Sequence, residues 1–402
     1  MKRLLVFICA LFVFGACHAA TLNIQNNGNK TKILLDTTQR TKPALAMRIN
    51  GEIYYANLDK ITSRTPGEIY VSYDGKTYAV KDNSKYKFTI TTTEMPAGTE
   101  FRFEMSAAGN FTVDWGDGTV DKIVRTNTTL TTYSHEYKTS DVYKIGFDGL
   151  ATGYSTSVIS TIRFYGNTNI IGISGSLGAI FPTIGTGVGS NSKPRFFETF
   201  YNCAKLVGNI PENLFNGVKG ATNNMFCKTF YGCSGLTGEI PPNLFSGISG
   251  AADYLLNGTF QGCVGLTGDI PSELFSGVSG AATGMFQSTF RFCSGLTGIP
   301  ANLFHGVKGA ANYLFSYTFE DCSGLTGTIP SGFFGNVSGT PAYYMFDHTF
   351  YGCANLYGPT ARMADGTYLY DIVNPSTGKT WYEQSPDTFK EMYINTGITG
   401  VR

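Results

Sequence analysis

The sequence predicts a mixed chain: an all-β N-terminal part of sandwich type, followed by an α/β solenoid of about 30-residue repeats. Three observations carry this expectation. A Thr-Phe-x-x-Cys frame recurs six times and places Cys203, Cys233, Cys263, Cys293, Cys322 and Cys353 at near-constant spacing, the signature of units that stack on their neighbours. Composition is rich in glycine (49) and aromatics (24 Tyr, 30 Phe) but low in charge (15%), which favours glycine-punctuated turns and aromatic packing. Ahead of the repeats, alternating apolar residues broken by Asp-Gly turns mark short strands. With 402 residues, several domains are expected: a signal peptide at 1–19, a small β module at 20–85, a sandwich at 86–155, and repeats with a C-terminal cap at 156–402.

The N-terminus, "MKRLLVFICALFVFGACHAA", has two cations, an apolar run from Leu4 to Phe14 and then small residues. The run is shorter than the roughly 20 residues a spanning helix needs, so it reads as a signal peptide. Two cleavages remain open. Cutting after Ala19 releases a soluble protein, whereas lipidation at Cys17 leaves an anchored one. No other stretch is long and apolar enough to span a bilayer. A net charge of +1 without a basic run argues against nucleic acid, which needs clustered Lys and Arg.

Within 20–85, "GEIYVSYDGKTYAV" predicts a hairpin: Ile69, Val71 and Tyr73 precede an Asp-Gly turn, and Tyr78 and Val80 follow it. In 86–155, Phe111 and Val113 alternate into Trp115, "GDG" supplies a turn, and His135-x-Tyr137 leads into Tyr143-x-Ile145-x-Phe147. This "VDWGDGT … HEY" pattern resembles the polycystic-kidney-disease (PKD) β-sandwich, which implies an extracellular spacer. Asp114, Asp117 and Asp121 have the chemistry of a calcium site, but bonding to turn amides is the expected role.

Each repeat is expected to be strand, turn and helix. Phe226, Phe230 and Cys233 fall at i, i+4 and i+7, one face of a short helix. The glycine two residues past Cys233, Cys263, Cys293 and Cys322 (Gly235, Gly265, Gly295, Gly324) sits where a left-handed helix cap belongs. Leu236, Gly238 and Ile240 then point inward on a strand, with Thr237 and Glu239 outward. Partial copies flank the array, "NIIGISG" at 169–175 and "MYINTGITG" at 392–400.

The wording "LTGEIP" echoes plant leucine-rich repeats, but those are shorter and carry a leucine pattern missing here. The unit instead resembles the BspA-type bacterial leucine-rich repeat, in which Phe-x-x-Cys-x-x-Leu feeds a strand and an Ile-Pro turn. The resemblance implies a bacterial surface or secreted protein engaged in adhesion or host contact. Repeats of this kind are scaffolds, so the fold alone does not name the ligand.

Few residues carry catalytic chemistry. His135 belongs to the sandwich motif, while His305 and His348 sit at non-repeated polar positions. The sequence contains no nucleophile elbow, zinc-protease motif or phosphate loop. No catalysis, cofactor or metal is expected. In register on an apolar face, the six cysteines read as a buried thiol ladder, since free Cys packs as a small apolar residue. Cys227 stands at a polar position, where the other copies have Asn257, Gln287, Ser316 and Asp347, and is the one candidate reactive thiol.

The expected contact surface is the outward strand row: Val207, Asn209, Thr237, Glu239, Thr267, Asp269, Thr297, Thr326 and Thr328. It is small and polar and offers no aromatic anchor, although anchors usually dominate affinity. A more varied alternative includes Tyr201, Tyr231, Tyr313, Tyr317, Tyr343 and Tyr351. The function expected is non-catalytic binding of an extracellular protein or glycan. The rival expectation is a structural envelope or surface-layer component.

Overall fold

The computed structural model describes backbone pairing for strands between residues 21 and 81, and residues 86–401 except 158–159 and 188–190. The signal peptide and Cys17 lie outside the described residues. Two compact units result, Met1–Tyr86 and Lys87–Arg402. The first holds antiparallel pairs: β1 (Thr21–Asn26) with β2 (Asn29–Leu34), β3 (Ala44–Ile49) with β4 (Glu52–Asn57), and β5 (Lys60–Thr65), β6 (Glu68–Tyr73) and β7 (Lys76–Lys81) in one sheet. Tyr73 pairs with Lys76 across residues 74–75, the register of a two-residue hairpin.

The second unit opens with two antiparallel sheets. One contains β8 (Phe88–Met95), β10 (Ala108–Asp114), β11 (Val120–Arg125), β13 (Asp141–Gly153) and β15 (Ile170–Gly175), in the order β11-β10-β13-β8-β15. The other runs β12 (Thr131–Tyr137), β9 (Thr99–Met105), β14 (Ile162–Arg163). Alternation decides which faces are covered: Phe101, Phe103 and Met105 of β9 and Phe111 and Val113 of β10 are buried with Trp115, while their neighbours within each strand face outward or lie part-buried. The sheets do not stop at residue 155. Within the partial copy at 169–175, Ile170–Gly175 form the edge strand β15 beside β8.

The expected α/β leucine-rich-repeat solenoid is overturned. Among the described residues regular structure is mostly strand in antiparallel sheets, and helix is confined to three short segments, Leu369–Asp371, Trp381–Gln384 and Pro386–Phe389. No repeat contains a helix. In its place each unit is a run of tight turns, and the reason is visible in the backbone. Asn224, Lys228 and Gly232 have φ of 59°, 55° and 69°, and a left-handed residue every fourth position cannot belong to an α-helix, whose φ stays near −63°. Amides therefore alternate. Cys227, Thr229, Tyr231 and Cys233 N–H close turns onto the carbonyl three residues back, whereas Phe226, Lys228, Phe230 and Gly232 N–H donate to Leu255, Asn257, Thr259 and Gln261 of the following unit, at 2.8–2.9 Å. Helical bonding would have kept all of these within one unit.

Side chains repeat the same geometry. Phe164, Phe200, Phe230, Phe260, Phe290, Phe319 and Phe350 form one buried column with ring centroids 5.4–5.8 Å apart and nearly parallel planes. Phe164 lies just past β14, so the sandwich starts the column. Beside it runs a fully buried threonine column. Thr259 Oγ1 lies 2.9 Å from the Phe226 carbonyl of the preceding unit and 2.8 Å from the Leu256 carbonyl of its own. A buried hydroxyl needs such a partner.

The glycines expected as left-handed caps do a different job. Gly235, Gly265, Gly295 and Gly324 are absent from the positive-φ residues. They allow close approach: a Cβ on Gly265 would run into the Leu236 carbonyl of the preceding unit.

The array ends in a further turn unit without the cysteine. Phe346, His348, Phe350 and Gly352 N–H donate to Thr388, Lys390, Met392 and Ile394, and Phe389 and Tyr393 continue the ring columns over Phe346 and Phe350. Strands β16 (Tyr357–Pro359) and β17 (Gly397–Thr399) pair in parallel. An excursion over 360–385 folds back so that Tyr370 meets Phe389 edge-on at 4.8 Å. Trp381, fully buried, donates its indole N–H to the Gly339 carbonyl.

Candidate functional site

The outward row lies where successive units touch through parallel bridges. Thr237 N–H donates to Gly208 O, Thr267 to Gly238 O, Thr297 to Gly268 O, Thr326 to Thr297 O and Tyr357 to Gly327 O, all at 2.9–3.0 Å. Leu236, Ile240 and their equivalents are buried beneath, except Ile299 of the shortened unit, which is part-buried. Val207, Asn209, Thr237, Glu239, Thr267, Asp269, Thr297, Thr326 and Thr328 are all exposed. One backbone hydrogen bond per unit thus ties each step of the row to the preceding unit and fixes the spacing of its side chains. Asn209, Glu239, Asp269 and Thr328 each lean over the glycine of the next unit: a Cβ on Gly238, Gly268, Gly298 or Gly358 would meet them at once. Thr297 Oγ1 donates to Asp269 at 2.7 Å.

Sequence reasoning missed one residue. Tyr357 continues the row, is 59% exposed and supplies the aromatic anchor that the nine smaller side chains lack, with Val207 (52% exposed) at the opposite end. The signal was present, since Tyr357 follows Cys353 by the same four residues as Thr237 follows Cys233. The tyrosines form separate groups. Tyr165, Tyr201 and Tyr231 stack at 4.7–4.9 Å, Tyr313 and Tyr343 meet edge to face, and Tyr317 and Tyr351 flank His348.

All seven described cysteines are unpaired and buried. Their thiols are placed to donate to the preceding unit: Cys233 Sγ lies 3.0 Å from Phe200 O, Cys263 3.0 Å from Phe230 O and Cys353 3.0 Å from Phe319 O. Burial pushes Cys203, Cys293 and Cys353 up to about 12 and Cys233, Cys263 and Cys322 well above the ordinary thiol range. Thiolate is the reactive form, so the ladder is inert near neutral pH. Cys227 is no exception. Burial pushes it to about 12 as well, and its Sγ lies 3.6 Å from Asn257 Oδ1 in a polar column that runs on from Asn257 Nδ2 to Gln287 Oε1.

In the sandwich, Asp114 and Asp117 accept the turn amides of Gly116 and Thr119, and Asp121 accepts the Trp115 indole. His135 stacks on Trp115 and lies 2.7 Å from Asp117. Exposed His305 lies 2.9 Å from the Asn302 carbonyl. Among the described residues no three His, Cys, Asp or Glu gather as a metal site, and no helix is long and apolar enough to cross a membrane. No family model, curated protein or solved structure matches the chain.

Proposed function

We propose that the chain is an exported, non-catalytic binding protein whose ligand, an extracellular protein or glycan, lies along the outward row from Val207 to Tyr357. One observation carries this reading: six successive units, tied to one another by backbone hydrogen bonds, present side chains in register, and the row ends in an exposed tyrosine. A rigid face loses little entropy on binding, and many similar small contacts suit an extended ligand. The signal-like N-terminus supports an extracellular setting.

Binding of the full chain to immobilised matrix proteins and mucin glycans tests the proposal. Glu239→Ala should change affinity by no more than about 0.5 kcal/mol, whereas Tyr357→Ala should cost more than about 1 kcal/mol. Deleting residues 234–293, two whole periods, keeps every column in register and should weaken binding by shortening the face. Full affinity after that deletion would place the site elsewhere. Self-assembly seen by light scattering, with no ligand captured, would favour an envelope component.

A further inference from the structure

We propose that His348 is a proton-operated latch that fastens the terminal turn unit to the array. Its Nδ1 lies 2.7 Å from Asp347 Oδ1 in its own unit, and its Nε2 lies 3.1 Å from Glu391 Oε2 in the terminal unit. Both ring nitrogens therefore face carboxylate oxygens. An ionised carboxylate only accepts, and a neutral imidazole has one N–H and one lone pair. Only the imidazolium donates to both partners at once, and such charge-assisted bonds are the strong ones. When the proton leaves, one nitrogen must turn a lone pair towards a carboxylate. Asp347 is the more buried carboxylate and makes the shorter contact, so Nδ1 keeps its proton and the hydrogen bond that breaks is Nε2 to Glu391, the one joining the two units.

The surroundings keep the ring in place. Tyr317 of the preceding unit stacks on it at 4.9 Å, and Tyr351 of its own unit lies tilted at 5.0 Å. Burial first, and then the neighbouring Asp347, hold the Tyr317 phenol up at about 12, outside the range in which histidine titrates. Glu320, whose charge reaches His348, is already paired with Arg291 at 2.5 Å. Lys390, next to Glu391, is turned over the Tyr344 ring at 5.6 Å. Asp347 and Glu391 are thus the two acceptors in hydrogen-bond contact with the ring. Proton binding and docking of the terminal unit favour each other, so docking weakens as pH rises.

Hydrogen exchange of the full chain reads this directly, because the Phe346, His348, Phe350 and Gly352 amides are protected by carbonyls of the terminal unit. Protection factors, corrected for intrinsic exchange, should fall about tenfold between pH 6 and pH 8. The Phe230 and Gly232 amides, bonded between internal units, should not change. His348→Gln should remove the pH response, and so should Glu391→Gln, whose side chain is part-exposed and can be changed without opening the core. An unchanged wild-type protein, or an equal response in either variant, would overturn the latch.

Discussion

Stability should fall steeply as pH rises above about 8.5. In the unfolded chain the thiols titrate near 8.5, whereas burial holds four of the seven folded ones at about 12 and three well above the ordinary range. A group whose folded value is raised contributes fully below its unfolded value and is lost as pH climbs towards the folded one, because the unfolded state then binds fewer protons. Each thiol removes up to about 1.4 kcal/mol per pH unit in that window. Seven acting together should unfold the array well before pH 12. Buried Tyr154 and Tyr393, also raised by burial, add to the loss only above about pH 10. Urea midpoints at pH 7.5 and 10 measure the effect, and replacing Cys263 and Cys293 by Ala should reduce the slope. A flat profile between pH 8 and 10 would mean the thiols are not buried as described.

Ending the chain at residue 360 should be almost as damaging. The removed segment includes Phe389, Met392 and Tyr393, buried against the last cysteine-bearing unit, and Trp381, buried against Gly339. Baring the Phe346 and Phe350 faces forfeits burial on the order of 5 kcal/mol, counting about 1.5–3 kcal/mol for each large side chain. It also leaves the Phe346, His348, Phe350 and Gly352 amides without their acceptors. The shortened protein should melt earlier and self-associate in light scattering. An unchanged melting temperature with a monomeric particle would show that 361–402 is no cap.

Much of this is legible in the sequence because period and burial are properties of side-chain type. The cysteine register, the inward Phe226, Phe230 and Cys233, the outward Thr237 and Glu239 and the Tyr73–Lys76 hairpin all follow from spacing. A helix cannot be told from a turn run in this way, because inward residues at i, i+4 and i+7 fit both. The distinction lies in the sign of φ at Asn224, Lys228, Tyr254 and Tyr313, and lysine and tyrosine give no hint of a left-handed backbone. Asn224, Gly232 and Gly262 do, but asparagine and glycine are equally at home in any isolated turn. The role of Gly265 is hidden for a related reason: its neighbour is the Leu236 carbonyl, 29 positions earlier in the chain. His348 meets Glu391 across the excursion at 360–385, which breaks the period that makes the other contacts readable.

Far-UV circular dichroism of the purified chain tests the central claim most directly, that the repeats are turn units bonded to one another and not helices. The structure predicts a spectrum of strand and turn with only a trace of helical signal from the repeats, since helix among the described residues is limited to the three short segments within Leu369–Phe389. Strong paired helical minima, at the intensity six repeated helices would give, would contradict it.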